Sequence, residues 1–520
     1  MKISLKNNYM ALMFLFVFFL CSIYIFDLLK VDHDVARRGA NMNYTFNLKY
    51  DAEIEYLAQE ARKYGTVLTI TDDSGKPTPR EMGAIEVGYY VLIQSLALAG
   101  VKSVNNVTLA QLHVFSFLFF SLIFCALLGI VTRKIFPVSF VVLALLLLFR
   151  YHNEPLIYHI VGIWTLCTSF PFITFCAVLI MLKYWKSDFS MKTVLLLTAL
   201  GLTGGVMRFF RESESYAYFF TIVSFLAILA SRYNRRNPRR LVINYVGSLV
   251  LVILSFSAVL PLINTSLLYH RSSKTGLEAR PYASFSHGAG HVLVVSLGRY
   301  ENPFGYYYSD YFALETGNKL LLRKGYGPGN EWSSEYHKVL LDYYVSQIMR
   351  HPFHYLKFLM KSFYDYLKFI PYSLFLDTPT RSPIGAHLPV VKKDVEYDTY
   401  DFVGYDPVQP DGTVKRDPTA LINLRSAYFY LTTIEWMVFF ASVLLFLSGF
   451  VIYKKSSEDI SLFILGMYSA FIFYSILRIL IPMHGWTSIV TYYTICSINF
   501  ALIFDHWMNR LHKISQQAKL

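Results

Sequence analysis

Four carboxylates close together are the first groups in this sequence whose type and spacing could do chemistry. They lie in YDAEIEYLAQEARKYG, residues 50–65, soon after a hydrophobic run. A carboxylate held there could act as a general base and take a proton from an attacking hydroxyl or amine. Asp51 is the first choice for this base, Glu53 is the second, and Asp34, upstream, is the third. The alternative is a solvated helix in which Asp51 only favours the helix dipole and Glu60 faces water.

Two arginines in GGVMRFFRESES offer the opposite charge. Arg208 and Arg211 are three residues apart, a spacing that puts both on one face of a helix. Guanidinium groups fixed there could bind phosphate oxygens and stabilise the negative charge that a leaving phosphate gains. The alternative is that both arginines snorkel to a membrane surface, with Glu212 or Glu214 as a partner.

Two further groups could join a phosphate-binding site. Arg478 lies inside a hydrophobic run, where ionisable groups tend to pair, and we favour a structural pair with Glu435. His484, in the turn MHGW, could meet a phosphate if the turn folds inward. A plain surface histidine is the simpler interpretation of His484.

A third set of polar groups lies in RPYASFSHGAGH, which contains Arg280, His287 and His291. Two histidines four residues apart could bind a metal ion on a helix. Gly288 and Gly290 both lie between the two histidines, and glycine disfavours a helix. The sequence therefore predicts a loop that contacts a substrate, and no metal site.

The composition says where these groups must act. Hydrophobic residues make up 54% of the chain and charged residues 16%, whereas a soluble domain carries about a quarter charged residues. Much of the chain is therefore expected in lipid. All five cysteines fall inside apolar runs, which argues against a disulfide framework or a thiolate metal site.

Hydrophobic runs define the elements that must position the polar groups. Ten runs are long enough to cross a bilayer, although two are short. They predict an all-α polytopic membrane protein with spans near 9–29, 109–131, 135–150, 156–182, 192–208, 215–231, 241–263, 428–453, 459–482 and 487–508.

Lysine and arginine indicate the orientation of these spans. They accumulate in MKISLKNN, TRK, KYWKSDFSMK, SRYNRRNPRR, YKKSSED and NRLHKISQQAK, which alternate with less basic connections. Basic loops favour the cytoplasm, so both termini are predicted there. The net charge of +13 is then mainly topological, and it does not indicate a nucleic-acid partner.

This topology divides the chain into three parts. Residues 1–263 form a seven-span module whose first outer loop is 30–108. Residues 264–427 form a second large outer segment, and residues 428–520 form a three-span module with a basic cytoplasmic tail. Within the second segment, residues 344–376 carry regularly spaced lysines that would each cost about 2.5–3.5 kcal/mol at the bilayer centre. We predict an interfacial amphipathic helix there.

The layout resembles the GT-C superfamily of membrane glycosyltransferases, and it is similar to the glycosyltransferase 39 and aminoarabinose transferase type. The resemblance rests on the acidic stretch 50–65, on REMGAIEVGYYVLIQSLALAG at 80–100 and on the large outer segment after span seven. GHVLVVSLGRYENPFGYYYSD adds a Gly-x-x-x-Asn-x-x-Gly pattern with Asn302, followed by Asp310. The acidic pair departs from the pattern of adjacent Asp-Glu, since it reads Asp-Ala-Glu. The identity of the base therefore stays open.

The resemblance implies an inverting hexosyl- or pentosyltransferase of cell-envelope glycan biosynthesis. Its donor would be a sugar on polyprenyl phosphate, and its acceptor a glycan, lipid or protein. It would lie in a bacterial inner membrane with its active site facing the periplasm. The resemblance implies no definite cofactor, and a divalent metal ion stays open. The catalytic candidates are Asp51, Glu53 and Asp34. The candidates for binding the donor phosphate are Arg208, Arg211, Arg478 and His484. The candidates for the substrate loop are Arg280, His287, His291, Asn302 and Asp310.

Two other functions remain as alternatives. An O-antigen ligase or polymerase also has many spans and a large outer loop, but its chemistry needs no acidic helix after span one. A transporter or flippase of lipid-linked sugars would predict internal repeats and polar residues at mid-membrane. The sequence has no evident repeat, and its charged positions gather at one membrane face.

Overall fold

The structure is a computed structural model in which most of the chain is helical. It describes residues 44–79, 87–132, 138, 141, 144–145, 165–186, 189–233, 237–278, 288–298, 302–306, 310–326, 333–372, 433–455, 458–480 and 486–517. Along the chain its elements are α1 Tyr44–Tyr64, β1 Thr69–Thr71, β2 Pro77–Pro79, α2 Val87–Leu98, α3 Asn106–Thr132, a 3₁₀ turn Thr165–Ser169, α4 Phe170–Tyr184, α5 Met191–Phe210, α6 Glu212–Tyr233, α7 Pro238–Thr275, α8 Gly288–Leu297, α9 Asp310–Arg323, α10 Ser334–Arg350, α11 Pro352–Tyr372, α12 Thr433–Lys455, α13 Glu458–Leu480 and α14 Trp486–Gln517.

Five of the described helices are long and apolar enough to cross a membrane. They comprise Gln111–Thr132 of α3, α5, α6, α7 and Glu458–Ile476 of α13. Each overlaps a predicted span, so the class of all-α membrane protein is confirmed at this level. The apolar parts of α4 and α12 are shorter, and the predicted span 9–29 lies outside the described residues, as does most of 135–150.

Local signals set where the spanning helices begin and end. Ser190 precedes α5 and its hydroxyl accepts a hydrogen bond from the N–H of Thr193. Asn237 caps α7 in the same way, with Pro238 in the first turn. Gly276 ends α7 in the left-handed conformation, which only glycine adopts without cost. With 38 residues, α7 is about 57 Å long and extends well beyond the hydrocarbon core.

The membrane bundle is organised around α4, which packs against α3, α5, α6, α13 and α14. Close contact between α5 and α7 depends on small residues. A Cβ at Gly201 or Gly205 would collide with the backbone of α7, so only glycine lets these helices approach so closely. Cys125, Cys176 and Cys496 are buried within the bundle.

The chain between predicted spans one and two, which we call the first outer segment after its predicted side, forms a second buried cluster. Ile54, Leu57, Ala58 and Ala61 lie at helical spacing on the inward face of α1. They pack with α2 and with the hairpin β1–β2, which the sequence analysis did not anticipate. In the hairpin turn, the Asp72 carboxylate accepts hydrogen bonds from Ser74 and from the N–H of Lys76. These bonds hold the pKa of Asp72 below its ordinary value.

Helices α8, α9 and α10, in the predicted second outer segment, form a third cluster. We call these three helices together with α11 the late unit. The prediction of one interfacial helix over 344–376 is wrong in its boundaries, because α10 ends at Arg350 and α11 starts at Pro352. His351 between them is non-helical, since the residue before a proline is pushed out of the α region. Residues 373–432 lie outside the described part of the chain.

Candidate functional site

The candidate site lies where the first outer segment meets the ends of α5 and α6. Phe209, at the end of α5, belongs to the same buried cluster as Ile54 and Leu57 of α1. A Cβ at Gly88 of α2 would collide with the carbonyl of Phe209, so α2 lies directly against this end. Phe209 stands between Arg208 and Arg211 in the sequence. The acidic helix and the arginines therefore belong to one contiguous region.

Arg208 is held in place by a carboxylate. Its Nη2 and Nε donate to Oε1 of Glu212, at 2.7 and 3.1 Å, and the Tyr216 hydroxyl donates to the same oxygen at 2.9 Å. The guanidinium carbon also lies 5.7 Å from the centre of the Tyr216 ring. Because the Arg208 side chain is 26% exposed, an anion from outside can still reach it. The Glu212 partner that the sequence offered as the alternative is thus present.

Arg211 has a different environment. Helix α5 ends at Phe210, and Arg211 has extended backbone angles between α5 and α6. The expectation that Arg208 and Arg211 share one helical face is therefore wrong, because the helix stops before the second arginine. Arg211 is only 4% exposed. A buried guanidinium is a stronger charge for an anion than a solvated one, since water screens it less.

Glu214 links α6 to a distant part of the chain. It is buried, and its Oε2 accepts a hydrogen bond of 2.9 Å from the hydroxyl of Thr487, in the first turn of α14. The first turns of α6 and α14 are therefore in contact, although 273 residues separate the bonded pair. From the sequence, Glu214 is predicted only as a partner for arginine, and Thr487 has no predicted role.

A further polar group close to an expected outer boundary was missed. His113 of α3 is fully buried, and its Nε2 lies 3.5 Å from the hydroxyl of Thr168 in the 3₁₀ turn. This turn also contacts α14. His113 lies inside the predicted span 109–131. An ionisable residue inside a span is a functional candidate by default, so this signal was available from the sequence.

The carboxylates of α1 fall into different environments. Asp51 lies in α1, but its side chain is outside the described part of the structure, and Asp34 is outside altogether. Glu53 is partly buried. Glu60 is buried and accepts a hydrogen bond of 2.5 Å from Thr71 of β1. The alternative of a solvated helix, in which Glu55 and Glu60 face water, is wrong for Glu60, because the unpredicted hairpin covers that side of α1. Glu55 is exposed.

The first outer segment is attached to α7 by buried polar contacts. Leu68 has φ of 58°, a strained value for a non-glycine residue. Its N–H donates to Oε1 of Gln94 at 2.7 Å, and its carbonyl accepts from Arg271 of α7 at 3.4 Å. Thr66 and His270 share a further hydrogen bond of 3.0 Å. The extension of α7 beyond the membrane therefore holds the segment that carries the acidic helix.

In the late unit, two of the predicted substrate-loop residues form hydrogen bonds that hold the fold together. His291 is buried, and its Nδ1 shares a hydrogen bond of 2.8 Å with the Tyr336 hydroxyl of α10. The Asn302 amide accepts from the N–H groups of Phe304 and Tyr306 and donates to the Tyr306 carbonyl, which shapes a turn. Burial raises the pKa of Tyr306 to about 12, and its hydroxyl donates to Gln347 at 2.6 Å.

The prediction of a loop instead of a helix at His291 is also wrong, since α8 begins at Gly288. Glycine is needed at position 290 of this helix, because a Cβ there would collide with the His337 carbonyl of α10. Within the described residues, no group of three His, Cys, Asp or Glu side chains could hold a metal ion.

The other predicted residues are not located by the structure. Arg280, His287 and His484 lie outside the described residues, and so do the side chains of Asp310, Arg478 and Glu435. Their roles stay predictions.

Comparisons with known proteins give no family for this chain. No protein-family model, no curated protein and no solved structure matches it. Any functional assignment therefore depends on the residues themselves, and the charged groups at the α5–α6 junction lie near a predicted outer membrane boundary.

Proposed function

We propose that this chain is an integral-membrane glycosyltransferase that moves a sugar from polyprenyl phosphate to an acceptor on the extracytoplasmic face. The observation that carries the proposal is the shared cluster of Phe209, Ile54 and Leu57. Through α2, this cluster links a helix with several carboxylates to the helix end that carries Arg208. A reaction between a lipid-borne phosphate ester and a soluble hydroxyl needs both charges at the membrane surface.

The proposed chemistry divides between the two groups. A carboxylate of α1, with Asp51 as first choice, takes the proton from the acceptor hydroxyl or amine as its oxygen or nitrogen attacks the anomeric carbon. The bond from that carbon to the phosphate oxygen breaks, and the phosphate leaves with the bonding electrons. Arg211 and Arg208 stabilise the charge that it gains. Attack opposite the leaving group inverts the anomeric configuration.

The proposal includes ten spans with both termini in the cytoplasm. Two contacts join helix ends that this topology assigns to the same side of the membrane. Arg232, at the end of α6, pairs with Glu458 at 2.8 Å and with Asp459 at 3.3 Å at the start of α13, and all three are predicted on the cytoplasmic side. The contact between Glu214 and Thr487 joins two positions that are both predicted outside.

The orientation predicts which side of the membrane the late unit faces. A cysteine at Lys319, an exposed residue of α9, should react with a membrane-impermeant maleimide from outside intact cells. A cysteine at Arg239, in the first turn of α7, should react only after the cytoplasmic face is opened. The reversed pattern would refute the orientation.

The function is tested by incubating the purified protein in nanodiscs with lipid-linked sugars extracted from the host membrane. Consumption of one of them is expected. Arg211→Gln should lower the turnover about 10²–10³-fold, which is the usual cost of removing one charge-stabilising donor. The matched control is Arg232→Gln, at the other end of α6, which should keep the turnover. If both variants lose turnover equally, Arg211 acts through the fold and the proposed phosphate site is wrong.

A further inference from the structure

Helix α11 has three sectors that run along its length. Large apolar side chains with high exposure lie at helical spacing on one side: Phe353 is 86% exposed, and Leu356, Met360 and Phe363 follow. At 3.6 residues per turn these positions make one stripe. In a water-soluble surface such a stripe would be costly, because each large apolar side chain gains about 1.5–3 kcal/mol when it is buried.

The two remaining sectors of α11 have different chemistry. Phe358 and Ser362 are buried and lie opposite the stripe. Lys357 and Lys361 are exposed and lie between the buried side and the stripe, along one edge. Among the described residues of α11, one side therefore meets protein and the opposite side is apolar and exposed, with lysines along one border.

A second apolar stripe lies on α10. Leu341, Val345 and Met349 recur every four residues on the exposed side of α10, and Met349 is 76% exposed. His351 breaks the helix before Phe353, so the two stripes belong to two consecutive helices. The exposed apolar side chains thus begin before the single amphipathic helix that the sequence predicted.

The neighbours of α11 indicate what covers this surface. Helix α11 packs against α12, α13 and α14. On α12 the exposed side chains Phe440, Leu444 and Leu447 also form an apolar stripe at helical spacing, as expected of a helix that faces lipid. Helix α11 is therefore next to the membrane bundle, and lysines on one edge of its exposed side suit a headgroup layer.

We propose that the exposed stripes of α10 and α11 lie in the adjacent leaflet of the bilayer and that Lys357 and Lys361 bind anionic lipid headgroups. This surface anchors the late unit to the membrane, and α11 lies between the protein and the lipid. The inference does not depend on the proposed sugar transfer.

A nitroxide label measures the depth of the stripe in the full chain. Labels are placed on cysteines at Met360 and, as a control of equal exposure, at Lys319 of α9, which are 66% and 65% exposed. In nanodiscs, the label at residue 360 should collide more often with oxygen, which concentrates in lipid, than with a water-soluble nickel chelate. The label at residue 319 should show the opposite preference. Preference for nickel at both positions, or shielding of residue 360 from both reagents by a second copy or another part of the chain, would overturn the proposal.

The lysine edge has its own test. A fluorophore at residue 360 is quenched by brominated phosphatidylglycerol or brominated phosphatidylcholine in mixed vesicles. Each lysine near the surface should favour the anionic lipid about fivefold. The preference should disappear in Lys357→Gln with Lys361→Gln and persist in the control Lys319→Gln with Lys324→Gln, whose lysines pair with Glu315 and Asp342. An equal preference in both double variants would overturn the role of the edge.

Discussion

The first outer segment and the late unit are both built from amphipathic helices around their own buried clusters, and the sequence places candidate site residues in each. They differ in what the fold does with those residues. In the first outer segment, α1 and α2 pack in one buried cluster with Phe209 at the end of α5, and Arg271 of α7 donates to the Leu68 carbonyl. In the late unit, His291 and Asn302 hold helices and a turn together.

The difference shows that a polar residue can bind a substrate only if part of its hydrogen-bonding or charge-pairing capacity is still accessible in the folded protein. Both hydrogen-bonding roles of the Asn302 amide are occupied within five residues of chain. Arg208 also has a partner, yet its side chain stays accessible and its partner Glu212 is itself held by Tyr216. An exchange of Glu212 for a phosphate at Arg208 would keep a charged pair, whereas a substrate at His291 would have to open a packed core.

The largest expected effect is at Asp51. Asp51→Asn keeps the size of the side chain but cannot take the proton, and the loss of a general base typically lowers the rate about 10²–10⁴-fold. Donor binding and membrane insertion should stay normal. The measurement is single-turnover transfer of the lipid-linked sugar in nanodiscs.

Two companion variants sharpen this result. If Asp51→Asn turns over normally while Glu53→Gln or Asp34→Asn is inactive, the base is a different carboxylate and the mechanism stands. If all three are fully active, the stretch 50–65 is only a packing element, and the first outer segment is no more catalytic than the late unit.

An intermediate effect is expected in the core of the late unit. His291→Ala leaves the buried Tyr336 hydroxyl without this partner, which typically costs about 1–3 kcal/mol. The late unit should become more sensitive to protease, while the turnover of the remaining intact molecules should be unchanged. The control is Tyr336→Phe, which removes the hydroxyl and leaves the ring. A loss of turnover without a loss of protease resistance would make His291 a substrate residue and remove the contrast between the two regions.

The smallest effect is expected at Glu212. Glu212→Gln removes the negative charge that competes with a phosphate for Arg208, so donor affinity should rise by a few-fold, the size expected for a partly exposed ion pair. Equilibrium binding of a polyprenyl-phosphate analogue measures it. Glu458→Gln, which alters the Arg232 pair at the opposite end of α6, is the control. Weaker donor binding in Glu212→Gln would show that Glu212 supports Arg208 and does not compete with the donor.

Much of the architecture could be read from the sequence, because a run of apolar residues in lipid must satisfy its own backbone hydrogen bonds and does so as a helix. Thus α3, α5, α6, α7 and α13 follow the hydrophobic runs. Pro352 and Gly276 also mark helix ends by local sequence. The glycine is a readable end signal for α7, whereas the apolar periodicity of 344–376 hides the break before Pro352.

The tertiary structure alone decided which polar groups meet. Glu214 and Thr487 are 273 residues apart, and no local pattern could have paired them. Gly290 disfavours a helix by its own propensity, yet it is helical because α10 packs where a side chain would have been. Glu60 and Glu53 belong to the same acidic stretch, and a hairpin from further along the chain buries Glu60. Apolar periodicity is a property of neighbours in sequence, whereas the partner of a polar group depends on which surfaces pack together.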